Sequence, residues 1–392
     1  MESPDEFRVR SLAVGVYLPN FLYAAGQGAV IPVIVLLALD LGASPAMAGV
    51  IVALKGLGTV LFDAPAGVLV ARIAERNAMV AATVTLALAA GGIALGPGLM
   101  AYAGLVVILG AGSSVWTLAR IAYAMEASPA GHRGRVMSTM GGFTRVGLTV
   151  GPFLGGAATL VLGLAGPFLV QALLGVIATA TLSLSKSAIA PPDGRRHMPL
   201  TRVFIDHRRV FATAGVAMVC VEAIRASRQV IIPLWGSQIG MTAGQISVIF
   251  GISAAMEVVA FYPVGVLMDR KGRKWASVPS VSLLAVGVAA IPLTSSVLTL
   301  TLVGILIGLA NGMGSGLNMT LSSDLAPPEA RSEFIGLWRL VGDLGTTGGP
   351  MLVAGITAIA TLGVSAVGMG LVGAAGAALL LLVVPETRAK PT

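Results

Sequence analysis

The sequence predicts an all-α integral membrane protein, with twelve transmembrane helices in two pseudo-symmetric six-helix halves around a central cavity. Three observations carry that expectation. Of 392 residues, 56% are hydrophobic and 11% charged, with a mean hydropathy of +0.91; a soluble protein has about 25% charged residues. Lys and Arg flank only alternate connections between the apolar runs. Landmark residues recur at a single offset of 198 across the one long polar break.

A bilayer core takes about 20 apolar residues per helix. Apolar runs between polar or Gly/Pro breaks give 11–38, 45–70, 78–96, 101–125, 137–161 and 165–185 in the first half. The second half supplies 210–236, 243–267, 275–294, 298–323, 333–360 and 363–384. The polar start MESPDEFRVR lacks the basic n-region and small-residue cleavage site of a signal peptide, so the first run is expected to remain as a span. Gly supplies 51 residues, nearly twice the usual ~7%, which suits helices whose backbones approach closely.

Cations mark one set of connections: Arg72 and Arg76; His132, Arg133 and Arg135; Lys186 through Arg209; Arg270 to Lys274; Arg331; and the tail with Arg388 and Lys390. The other set, near 40–44, 97–100, 162–165, 237–242, 295–297 and 361–363, has no Lys or Arg. Excess cations mark cytoplasmic loops. Both termini and the linker are therefore expected in the cytoplasm, with the protein in the cell membrane. The organisation read is 1–185, first half; 186–209, linker; 210–392, second half.

Several classes are excluded. Cys220 is the only cysteine and the three histidines fall in polar connections, so neither a disulfide nor a Cys-built metal site is expected. The net charge of +8 is explained by cytoplasmic loops rather than nucleic acid. No phosphate-binding Gly-rich loop with its Lys is present, and no catalytic cluster is evident. The expectation is a non-enzymatic monomer without cofactor, with the bilayer, protons and a small-molecule substrate as partners.

The repeat is specific. At offset 198, Gly42 pairs with Gly240, Pro65 with Pro263, Gly67 with Gly265 and Gly110 with Gly308. Glu126 pairs with Asp324, Pro129 with Pro327, Arg133 with Arg331 and Pro152 with Pro350. Two parallel six-helix repeats describe a secondary transporter. Between the second and third spans of the second half stands GVLMDRKGRK. It resembles the G-x-x-x-D-R-x-G-R-K loop of the major facilitator superfamily, matched at Gly265, Asp269, Arg270, Gly272, Arg273 and Lys274. Gly265 is expected to permit close packing and Gly272 a tight turn. The first copy, GVLVARIAERN, keeps Gly67 and Arg72 but has Ala71 for the acid and Ala74 for the second glycine.

GLTVGPFLGG in the fifth span resembles the G-x-x-x-G-P-x-x-G-G motif of drug:proton antiporters of that superfamily, at Gly147, Gly151, Pro152, Gly155 and Gly156. The resemblance implies a twelve-span transporter in which spans 1, 4, 7 and 10 line the cavity. Glu126 and Asp324 are expected to meet loop cations. The antiporter-type arginine of the fourth span is missing, its place falling at Val106.

Ionisable residues within spans are functional hypotheses by default. They are Lys55, Asp63, Arg120, Arg145, Glu222, Arg225, Arg228, Glu257, Arg339 and Asp343. The resemblance implies that spans 2 and 11, and spans 5 and 8, meet between the halves; depth then suggests Arg145–Glu257 and Asp63–Arg339 pairs, or Arg339 bonded instead to Asp343 at i+4. Glu222 and Arg225, at i,i+3, share a helix face, with Arg228 one turn on. Glu222 near mid-membrane is the expected proton-coupling residue, with Asp343 in reserve. Substrate contacts are expected from Asn20, Tyr23 and Gln27 in the first span and from Trp116, Arg120 and Tyr123 in the fourth. Arg225, Arg228, Trp235, Asn311 and Asn318 complete that set. The leading reading is proton-driven efflux of lipophilic small molecules. The alternatives are transport of a defined anionic metabolite or lipid, and a non-transporting membrane sensor on the same fold.

Overall fold

A computed structural model describes residues 12–185, 200–314 and 316–384. The expectations placed on both chain ends, on linker residues 186–199 and on the side chains of Gly265, Asp269 and Arg270 lie outside the described residues. The described residues contain helices and no strand.

Six long helices come first: α1 Leu18–Asp40, α2 Pro45–Ile73, α3 Glu75–Ala94, α4 Leu99–Glu126, α5 Arg133–Leu162 and α6 Gly166–Leu184. After the short α7 Leu200–Asp206 come α8 Val216–Gln238, α9 Ala243–Lys271, α10 Lys274–Ala290 and α11 Val297–Met313. Then follow the short α12 Leu317–Leu325, α13 Arg331–Ile359 and α14 Leu362–Leu382. By length and composition, ten stretches can cross a membrane. One of them, Arg133–Leu184, contains both α5 and α6. α13 is not among the ten; it carries Arg331, Glu333, Arg339 and Asp343. Large apolar side chains such as Ile359 (89% exposed) and Met100 (85%) lie on the surface, as suits helices solvated by hydrocarbon.

The chain forms two compact units. One holds Met1–Ala43, Leu54–Asp193 and Ala243–Gly251; the other holds Ser44–Ala53, Gly194–Thr242 and Ile252–Thr392. In the first, α1 packs on α5 and α6, and α3 on α4 and α6. Trp116, Tyr123, Met79 and Leu182 belong to one buried cluster there. In the second, α8 packs on α13 and α14, and α14 on α10. Its core holds Phe211, Phe334 and Trp338, with Phe334 and Trp338 stacked at 6.0 Å.

The 198-residue repeat reappears as repeated contacts inside each unit. A Cβ on Gly110 would strike the carbonyl oxygen of Lys55, and one on Gly308 the carbonyl oxygen of Ser253. A Cβ on Gly147 would lie 2.7 Å from the Phe21 oxygen, and one on Gly345 2.5 Å from the Val219 oxygen. Gly151 and Gly349 repeat this one turn on, against Ala25 and Ala223. The antiporter-like motif thus presses the backbone of α5 onto α1, and Gly345 and Gly349, 198 residues on, press α13 onto α8. Gly156 faces elsewhere, its Cβ position 3.1 Å from Ser247. A Cβ at Gly67 would meet nothing, so the close packing expected of that loop glycine does not extend to the first copy.

Turns repeat as well. Gly42 (φ +87°) follows α1 and Gly240 (φ +80°) follows α8, a left-handed backbone that costs glycine least. Gly272 has φ +107°, which bears out the tight turn read from the loop. At the equivalent first-copy position Ala74 takes φ 66°, ψ 150°. The next cation in each loop closes a helix. Arg76 donates to the Leu182 and Ser183 oxygens at 2.9 and 2.7 Å, and Lys274 donates to the Leu381 oxygen at 2.7 Å. These carbonyls lie in the last turns of α6 and α14, where a cation also opposes the helix dipole.

Candidate functional site

The ionisable side chains within the spans are held by small polar groups inside each unit. In the first unit the apolar α1 carries a polar stripe, Asn20, Tyr23 and Gln27, spaced three and four residues apart so that they share a face. Asn20 Nδ2 donates to the Met140 oxygen at 2.9 Å and to Thr144 Oγ1 at 2.7 Å, while its Oδ1 accepts from Arg120 Nη1. Tyr23 stacks on Trp116 with ring centroids 4.8 Å apart. Gln27 Oε1 accepts from Lys55 Nζ at 2.6 Å. Ser114 donates to Asp63 Oδ1. Arg145 is one residue from Thr144 on α5.

In the second unit the acids are the centres. Glu222 Oε1 accepts from Arg225 Nη1 and from Asn318 Nδ2, both at 3.3 Å. Asn318 is in turn oriented by Trp338, whose indole N–H donates to Asn318 Oδ1 at 2.7 Å. Glycine makes the room: a Cβ on Gly345 would lie 2.9 Å from Glu222 Cβ, and one on Gly314 would strike the Arg225 guanidinium. Glu257 Oε2 accepts from Asn311 Nδ2 at 2.5 Å and from Arg228 Nη2 at 3.5 Å. Arg339 pairs with Asp343 at 3.8 Å, the i+4 alternative.

Several of the expected site residues have partners within the protein. Asn311 and Asn318 are ligands of Glu257 and Glu222. Trp116 has no exposed surface and Tyr123 is 5% exposed, so both are core residues, and Tyr23 packs against their cluster while only partly buried. Trp235 donates to the Thr294 oxygen at 3.1 Å. It lies thirteen residues beyond Glu222, about 20 Å along α8, and anchors a connection. The expected Arg145–Glu257 and Asp63–Arg339 pairs would each join residues of different units; within its own unit Glu257 is engaged by Arg228 and Asn311. Asp324 does meet a loop cation, Arg273, at 3.4 Å. Glu126 instead has Glu75 as a neighbour, because Glu75 occupies the position equivalent to Arg273. Ser114, Thr144 and Trp338 belong to these clusters without having been read from the sequence. No motif marks them.

No group of three or more metal-ligating side chains occurs among the described residues. The sequence matches one family model, Major Facilitator Superfamily, over residues 16–226 and 214–392. The chain belongs to the major facilitator superfamily. This member of the superfamily shares its fold with several solved transporters. A POT family transporter in complex with 5-aminolevulinic acid has a TM-score of 0.82 at 11% identity, over 96% of each chain. A bacterial homolog of the human lysosomal transporter Spinster, inward-facing and occupied, has a TM-score of 0.80 at 15% identity over 100% of each chain. A D-xylose–proton symporter has a TM-score of 0.76 at 16% identity, over 97% of this chain and 99% of its own. No curated protein matches in sequence. The superfamily member is therefore an integral membrane transporter and not an enzyme.

Proposed function

We infer that the protein is a proton-coupled secondary active transporter that exports lipophilic small molecules by alternating access, with Glu222 as the proton-binding group. The observation that supports this reading is the setting of Glu222. Its side chain is 17% exposed and held by one cation and one amide, both at 3.3 Å. Arg225 and Asn318 both reach the same oxygen, Oε1, and Asn318 is itself fixed through Trp338 rather than through the acid. Asp343, beside Arg339, is the reserve. The same reading takes twelve spans in the cell membrane, with both termini and the linker in the cytoplasm, and a monomer. Proteoliposomes of wild type, Glu222→Gln and Asp343→Asn test it. Glu222→Gln is expected to exchange substrate passively but to lose its response to a pH gradient. Undiminished gradient-driven accumulation in that variant removes Glu222 from the role.

One observation favours a charged substrate over a neutral one. Within the spans the first unit has three cations, Lys55, Arg120 and Arg145, to one acid, Asp63, whereas the second has three of each.

A further inference from the structure

Lys55 is one of the cations in excess in the first unit, and its surroundings define what it can bind. Its side chain leaves α2 and reaches α1, where Nζ donates to Gln27 Oε1 at 2.6 Å. That bond also fixes the amide. An ammonium has donors only, so the Gln27 oxygen must face Lys55 and the Nε2 hydrogens must point away. Gln27 is 6% exposed, and its Nε2 is buried without a hydrogen-bond partner. No carboxylate lies within 4 Å of Lys55 among the described residues. An ammonium in a span is costly, and one neutral amide satisfies one of its three donors. Two groups with donors to spare thus stand side by side, with no further acceptor for either among the described residues.

The position of Lys55 is not adjustable. Its own carbonyl is covered by Gly110 of α4, whose Cβ position overlaps it, and Thr59 Oγ1 donates to both the Lys55 and Gly110 oxygens at 3.2 Å. One turn before Gln27 on the same face lies Tyr23, stacked on Trp116, which offers an apolar aromatic surface beside the donors.

We propose that Lys55 and Gln27 form an oxyanion-binding subsite, and that the transported molecule is an amphiphilic anion, its carboxylate or phosphate on this pair and its apolar body against Tyr23. This rests on the transporter reading and adds the charge of the substrate to it. The ammonium and the amide N–H groups would each donate to one oxygen, completing the hydrogen bonding that Lys55 and Gln27 lack. Gln27→Glu would place a carboxylate where the ligand's belongs, pairing with Lys55 and competing with the ligand.

The test is equilibrium binding to the purified full-length protein with no gradient applied, so that it is independent of coupling through Glu222. The probes share one body: 1-naphthoate, 1-naphthyl phosphate and 1-naphthylmethylammonium. Wild type should bind at least one anion about tenfold or more tighter than the ammonium. The better of the two anions tells a carboxylate ligand from a phosphate one. Lys55→Met and Gln27→Glu should each weaken anion binding about tenfold or more, with ammonium binding unchanged or improved, and Lys55→Arg should retain most of it. Equal binding of all three probes, no anion binding at millimolar concentration, or an anion preference that survives both Lys55→Met and Gln27→Glu in folded protein overturns the proposal. A loss of gradient response in Glu222→Gln with no anion preference in wild type would leave the coupling role standing and remove this subsite alone.

Discussion

Ala74 carries a strain that its own repeat shows how to remove. At φ 66°, ψ 150° it occupies a region nearly reserved for glycine, costing an L side chain roughly 1–3 kcal/mol. The equivalent residue 198 positions on is Gly272, also at positive φ, +107°. Ala74→Gly removes the Cβ clash and keeps the backbone bond from the Ala78 amide to the Ala74 oxygen at 3.0 Å. Against this, glycine raises the entropy of the unfolded chain by about 0.4–1 kcal/mol. The net expected gain is about 1 kcal/mol, which raises Tm by about 2–4 °C for a unit of this size. The reverse change, Gly272→Ala, should cost about as much. Helical circular dichroism of the purified protein on heating in one detergent measures both. An unchanged or lower Tm for Ala74→Gly, together with a neutral Gly272→Ala, would refute the argument that this turn requires glycine in both copies.

Two further outcomes follow from packing and charge. Gly110→Ala and Gly308→Ala each drive a methyl group into a carbonyl oxygen, of Lys55 and Ser253 respectively. Each should destabilise by about 1–3 kcal/mol or more, while Gly104→Ala on the same helix, whose Cβ meets nothing within 4 Å, should be neutral or slightly stabilising; thermal unfolding compares the three. Single cysteines at Asp193 and Thr361 in a Cys220→Ser background report orientation: in intact cells only Thr361→Cys should react with an impermeant thiol reagent, and labelling of Asp193→Cys would reverse the topology.

What was legible in the sequence was whatever the backbone itself demands. Glycines at positive φ, prolines inside helices and cations at helix ends sit where chain geometry puts them, so they kept a constant offset and the contacts followed. Gly272, Gly42 and Gly240 are of this kind. The azimuth of a side chain around an apolar helix was not legible. Depth along the span offers Arg145 as a partner for Glu257, but depth gives no rotation about the axis and so did not reveal Arg228 and Asn311, which reach Glu257 from within its own unit. Trp116 and Tyr123 read as cavity aromatics because a helix that is apolar all round gives no sign of which side meets lipid, core or substrate. Lys55 was visible as a charge in a span; its role depends on the orientation of one amide, which only the packed structure fixes.

The bonds from Arg76 to the end of α6 and from Lys274 to the end of α14 each close a loop of more than a hundred residues, with sequence separations of 106 and 107. That geometry sets an order of events during synthesis. The third helix of each half is made with a cation whose carbonyl acceptors on the sixth helix do not yet exist, and it gains those bonds only when the sixth helix is in place. Because a growing chain adds about 5–20 residues per second, the interval lasts on the order of 5–20 s for each half. In the proposed topology the same cation marks the cytoplasmic side while the bundle is unfinished, and it then becomes the clasp of the finished helices.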